Sequence, residues 1–159
     1  MGLDMRGDQS RNRSGARDQS HGRGRAAAPS GCSVDLKARS LVDAFETAAR
    51  ALAEVSVNPA TMPESITRFV ALEAPTLDHL LFDWLSELIH IKDMDAEVYA
   101  RTDVQVSGRG PCRLSARLFG GRIVPGCTER RADVKGIALR DFALEPCPGG
   151  WHARFVVDL

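Results

Sequence analysis

No stretch of the 159-residue sequence approaches the roughly 20 uninterrupted apolar residues of a membrane-spanning helix, because charges such as Asp83, Glu87 and Lys92 break the longest runs. A helix-spanning protein is excluded, and no membrane partner is expected. Net charge is lacking too: 21 Lys and Arg balance 21 Asp and Glu, which removes the polybasic and polyacidic classes. Cysteine is scarce. Cys32, Cys112, Cys127 and Cys147 include no close pair, so neither a disulfide framework nor a zinc knuckle is indicated. The four are expected as buried free thiols. A zinc site from Cys127, Cys147 and His152 can be drawn only with spacings that structural zinc sites seldom use. There is no GxGxxG, Walker loop, HExxH or GxSxG, which leaves dinucleotide, P-loop, zincin and serine-hydrolase chemistry without support.

What remains is the composition of one ordinary globular domain, with 43% hydrophobic residues. The charge balance hides an asymmetry. Residues 1–31 carry six Arg against three Asp, and beyond Ala their only apolar residues are Met1, Leu3 and Met5. Such a segment cannot bury enough surface to offset its chain entropy, so it is expected to be a disordered tail, with a domain over residues 32–159. Ala26-Ala27-Ala28 is too short for the apolar stretch of a secretory signal, and the cytoplasm is the expected compartment. The tail's Gly22-Arg23-Gly24-Arg25 could track an RNA backbone without sequence preference.

From Cys32 the chain reads in period two: Cys32, Val34, Leu36 and Ala38 on one face, Ser33, Asp35, Lys37 and Arg39 on the other. Ser40 is placed to cap a helix from about Leu41 to Glu54. Ile66 to Glu73 reads as a strand, and Thr76 caps a second helix in which Leu77, Leu80, Leu81, Trp84, Leu85, Leu88 and Ile91 form a wide apolar stripe. Alternation over Val98–Val106 and over Cys112–Leu118 predicts a hairpin. Gly120-Gly121 and Pro125-Gly126 read as breaks, Asp133 to Leu144 as a strand region, Glu145 to Gly150 as a turn and Trp151 to Asp158 as a closing strand. Two helices among strands joined by short turns predict an α+β fold with a mainly antiparallel sheet.

Chemistry has few candidates. His79, Asp83 and His90 recur along the polar stripe of the second helix and could serve a small metal-dependent hydrolase, although such residues are also ordinary on a solvated face. At the other end of the chain, Asp158 closes an apolar strand and Lys135 sits in an apolar run. Burying either costs several kcal/mol unless it is paired or coordinates something, so both stand out, although a simple salt bridge or exposure at a strand end is the more ordinary reading.

Two blocks carry a resemblance: Arg39-Ser40-Leu41-Val42-Asp43-Ala44-Phe45 with Ala48-Ala49, and Leu80-Leu81-Phe82-Asp83-Trp84-Leu85-Ser86-Glu87-Leu88. Together they resemble the archease family. Asp133-Val134-Lys135-Gly136-Ile137 is similar to the family's acid-aliphatic-lysine strand, and Val157-Asp158-Leu159 to its closing Val-Asp-Leu, so the likeness spans residues 32–159 in order. The resemblance implies an archease-like fold and a non-enzymatic partner of an RtcB-type RNA ligase, one that promotes guanylylation of the ligase's histidine and its turnover in tRNA splicing or RNA repair. It implies Asp158 as a metal ligand, Lys135, Asp158 and Asp133 as the residues that activate the ligase, and a hard divalent cation, Ca²⁺ or Mg²⁺, on carboxylate oxygens. RNA would be served indirectly, or through the tail.

The chain departs from the family at one place. Counted back without gaps from Arg39, the His and Asp of the family's N-terminal His-Thr-Ala-Asp motif fall on Ala28 and Gly31. Asp35 is on the same strand face as position 31 but ~13 Å along it, too far to substitute. One carboxylate is a poor metal site. The alternatives are the hydrolase above and a binding scaffold that has lost the ligase role.

Overall fold

The computed structural model describes residues 31–159, and the tail expected over residues 1–31 lies outside them except for Gly31, where the first strand begins. Seven strands and two helices follow in the order β1 (Gly31–Ala38), α1 (Leu41–Ser56), β2 (Ile66–Ala74), α2 (Leu77–Asp95), β3 (Glu97–Ser107), β4 (Cys112–Arg122), β5 (Gly136–Ile137), β6 (Ala143–Cys147) and β7 (Gly150–Asp158). The strands form two antiparallel sheets, one ordered β2-β4-β3 and one in which β7 lies between β1 on one side and both β5 and β6 on the other. Both helices pack on strands of both sheets, so each sheet turns one face to the helices and the other to solvent.

Local chemistry sets the helix ends. Ser40 Oγ accepts from the Asp43 N–H at 3.0 Å and Thr76 Oγ1 from the His79 N–H at 3.3 Å, each satisfying one donor that a helix start leaves unpaired. α2 ends at Ala96, whose left-handed φ of 55° turns the chain into β3. The buried side of α1 is rich in small residues, Ala44, Ala48, Ala49 and Ala53, around Phe45 and Leu52. α2 buries Leu80, Leu81, Trp84, Leu85, Leu88, Ile89 and Ile91, a stripe wide enough to meet α1 and two sheets. Trp84 is completely buried and its Nε1–H donates to the Phe45 carbonyl at 3.0 Å, which joins the helices through the archease-like block.

Three expectations need correction. Gly120-Gly121 does not break the chain: β4 runs through both to Arg122, and at Gly120 a Cβ would collide with the Val98 carbonyl oxygen, so glycine permits a close approach beside the bulge between Tyr99 and Arg101. The region Asp133–Leu144 is mostly loop, with only Gly136–Ile137 paired before a turn in which Asp141 takes φ 57°. Glu145 to Gly150 is not all turn, because β6 extends to Cys147 and only Pro148-Gly149 reverse the chain.

One polar cluster, with Glu97 and Tyr99 buried and Arg68 and Asp95 reaching solvent, closes the far end of the β2-β4-β3 sheet. Glu97 accepts from Tyr99 Oη at 2.6 Å and from Arg68 Nη1 at 3.0 Å, while Arg68 also meets Asp95 at 2.7 Å. Burial first, then the Glu97 carboxylate, pushes the Tyr99 hydroxyl up to about 12.

Candidate functional site at the end of β7

β7 ends between two glycines. The antiparallel register sets Gly31 opposite Asp158 across the β1–β7 ladder, and Gly136 opposite Asp158 across the β5–β7 ladder. Directly paired residues share a sheet face with Cβ positions roughly 5 Å apart, so position 31 is where a second carboxylate would stand beside the first. Glycine leaves the Asp158 carboxyl as the only acid on this rung. Asp158 is half-buried, and its carbonyl accepts the Lys135 N–H at 2.8 Å.

Lys135 is thereby brought to Asp158 through the main chain, but it is exposed rather than buried. Of the apolar run around it, Val134 and Ile137 enter the core, while Lys135 precedes a strand of only two residues and faces water. Its position is set from both sides. Upstream, the Arg131 N–H bonds the Ser56 carbonyl at 2.9 Å and the Arg131 guanidinium bonds the Glu54 carbonyl at 3.1 Å, tying the segment to the end of α1. Asp133, expected among the activating residues, accepts from Lys92 Nζ at 3.3 Å. Lys92 also meets Asp93 at 2.7 Å, and its side chain is only 10% exposed against 69% for Asp133. Asp133 thus works as a tether to α2. Sequence reasoning passed over Lys92 as a charge interrupting an apolar run, yet its spacing of four and three from Leu88 and Ile89 puts it on the buried stripe.

Asp35 does not compensate for Gly31. It is paired across the ladder with Arg154, four residues away along β1, and its Oδ1 is 2.7 Å from His152 Nε2. Ala28, where the family's histidine would fall, lies outside the described residues. Hard cations take six or more oxygen ligands, and among the described residues no group of three His, Cys, Asp or Glu is arranged to hold a metal. Among the described residues this rung offers one carboxylate, Asp158, where the resemblance implies two.

The other candidate sites come apart. His79 Nε2 meets Asp83 at 3.5 Å, but His90 is eleven residues on, ~16 Å along the helix axis, so the two imidazoles do not converge. Cys127, Cys147 and His152 form no cluster, since His152 is committed to Asp35. The cysteines are free, as expected, but only Cys112 is buried; Cys32 and Cys147 are half-buried and Cys127 is exposed.

Two central helices and two antiparallel sheets, with an Asp-Leu ending beside a lysine-bearing edge, define a small α+β domain. Residues 31–159 match the family model described as the Archease protein family (MTH1598/TM1083), and the chain belongs to this family. It is 33% identical over 123 residues to "Protein archease" of Pyrococcus abyssi, covering 76% of this chain and 86% of that one. It is 30% identical over 119 residues to the protein of the same name from Methanosarcina mazei, covering 74% and 82%. Protein 1598 of Methanobacterium thermoautotrophicum has a solution structure that superposes with a TM-score of 0.68 at 27% identity, over 81% of this chain and 91% of the other. A Thermotoga maritima crystal structure described as "an archease, possible chaperone" shares the fold with a TM-score of 0.55 at 12% identity, over 81% and 89%. The Pyrococcus and Methanosarcina relatives are both named "Protein archease", and the hydrolase alternative loses its proposed site because His90 does not converge with His79 and Asp83.

Proposed function

We propose that this chain is a protein partner of an RtcB-type RNA ligase, promoting its guanylylation and turnover through the edge where Lys135 and Asp158 meet. The observation that carries the reading is the main-chain bond from Lys135 to Asp158 at the end of β7, which holds the two residues that match the family pattern side by side. Lys135 supplies an exposed cation and Asp158 a half-buried acid. Such a pair can dock on charged groups of a partner without any cation held by this chain, and with Gly31 on the same rung a cation there would be bound weakly.

The test is reconstitution with a cognate RtcB-type ligase, GTP and divalent metal. The chain should raise the rate of ligase guanylylation, and Asp158→Ala and Lys135→Ala should each remove that stimulation while the melting transition stays in place. A chain that binds the ligase without stimulating it would be a scaffold that has lost the role, a reading that the glycine at position 31 favours. Wild-type stimulation retained by both variants would contradict the site.

A further inference from the structure

The β2-β4-β3 sheet has two edges, and the chain treats them differently. On β3, the Val104 N–H is met by Glu46 Oε1 of α1 at 3.0 Å, so a helix side chain takes up one donor of that edge. On β2, alternate residues turn N–H and C=O away from β4, and among the described residues no backbone or side-chain group bonds to that outward row. The strand has few of the usual protections of an edge, chiefly Arg68 on its helix-facing side. It is nine residues long with no proline or lysine, and its two charged residues are already engaged, Arg68 with Asp95 and Glu73 with Arg113.

We propose that β2 pairs antiparallel with β2 of a second copy about a two-fold axis through Val70, fusing two three-stranded sheets into one of six. The strand's own sequence argues for this occupant. With the axis at the strand's midpoint, Val70, Ile66 lies opposite Ala74, Thr67 opposite Glu73, Arg68 opposite Leu72 and Phe69 opposite Ala71. No like charges oppose one another. Phe69, 70% exposed in the single chain, would lie over Ala71 of the other copy. Ala71 neighbours Ser115 on the same sheet face, and these two small residues floor a depression of about 720 Å³ that borders Phe69 and Arg117. A large ring meeting two small residues in both directions is the self-complementarity that a two-fold interface requires. On the helix-facing side, the half-buried Ile66 and Leu72 would be covered as well. The inference is independent of the ligase reading.

Sedimentation of the full chain from ~1 to ~100 µM should show a mass rising toward twice 17.3 kDa. Phe69→Lys and Ala71→Lys, both at exposed positions, should weaken association by at least about tenfold without moving the melting transition. Phe69→Cys combined with Ala71→Cys, with the exposed Cys127 changed to Ser, should give a covalent dimer on mild oxidation, since opposed Cβ atoms lie ~5 Å apart. A full chain that stays monomeric at ~100 µM, whether because another segment covers β2 or because nothing does, overturns the proposal. So does a dimer that survives both lysine variants.

Discussion

Gly31 stands directly across the β1–β7 ladder from Asp158, where the ungapped resemblance to the family would place an N-terminal aspartate. The register is not free to slip. Eight consecutive pairs from Gly31–Asp158 to Ala38–Trp151 fix it, and a shift of one residue would carry Leu36 and Ala38 from the core face to solvent. The ladder therefore fixes a glycine opposite Asp158, and the next acid along the strand, Asp35, is held by His152.

The Lys92–Asp133 contact should govern how firmly Lys135 is presented. Lys92→Met keeps the apolar stem in its buried groove and removes the ammonium, while Asp133 is exposed enough to be solvated. Global stability should change by less than about 1 kcal/mol, as expected for a contact with one partner in water. Hydrogen exchange at the Lys135 amide, which bonds the Asp158 carbonyl, should accelerate about tenfold. Unchanged protection would show that Asp133 is not a tether.

Trp84→Ala should cost about 3 to 5 kcal/mol, because the indole is completely buried between the helices and its N–H bond to Phe45 is lost with it. Chemical denaturation measures this directly. A loss under about 1 kcal/mol would mean that the stripe of α2 does not pack as described.

Thr102 offers a gain. Its Oγ1 is buried without a hydrogen-bond partner among the described residues, so Thr102→Val removes an unsatisfied hydroxyl and keeps the β-branched shape. Stability should rise by about 1 kcal/mol and the melting midpoint by about 2 to 4 °C. A lower midpoint would place a partner on that hydroxyl.

The helices were legible because each begins at a side-chain cap, Ser40 and Thr76, followed by a periodic stripe, and both signals are local. The division into two sheets was not, since it depends on β1 pairing with β7 from the opposite end of the domain. Exposure at a strand end, the ordinary reading of Lys135, is what the structure shows, but alternation could not decide it beside a strand of two residues. Gly120 looked like a break because glycine in sequence does not distinguish a turn from a close approach of two strands. At the site, motif comparison aligned Gly31 and Asp158 with the family pattern separately, and the ladder supplies what sequence could not: they are opposite one another.

The central claim, that one substitution separates this rung from a two-carboxylate site, is tested most directly by calorimetric titration of Mg²⁺ or Ca²⁺ into wild type, Gly31→Asp and Gly31→Asp/Asp158→Ala. A second hard oxygen ligand roughly 5 Å from the first should raise affinity at least about tenfold in Gly31→Asp, and the double variant should fall back to the wild-type level. Equal affinities in all three proteins would contradict the account.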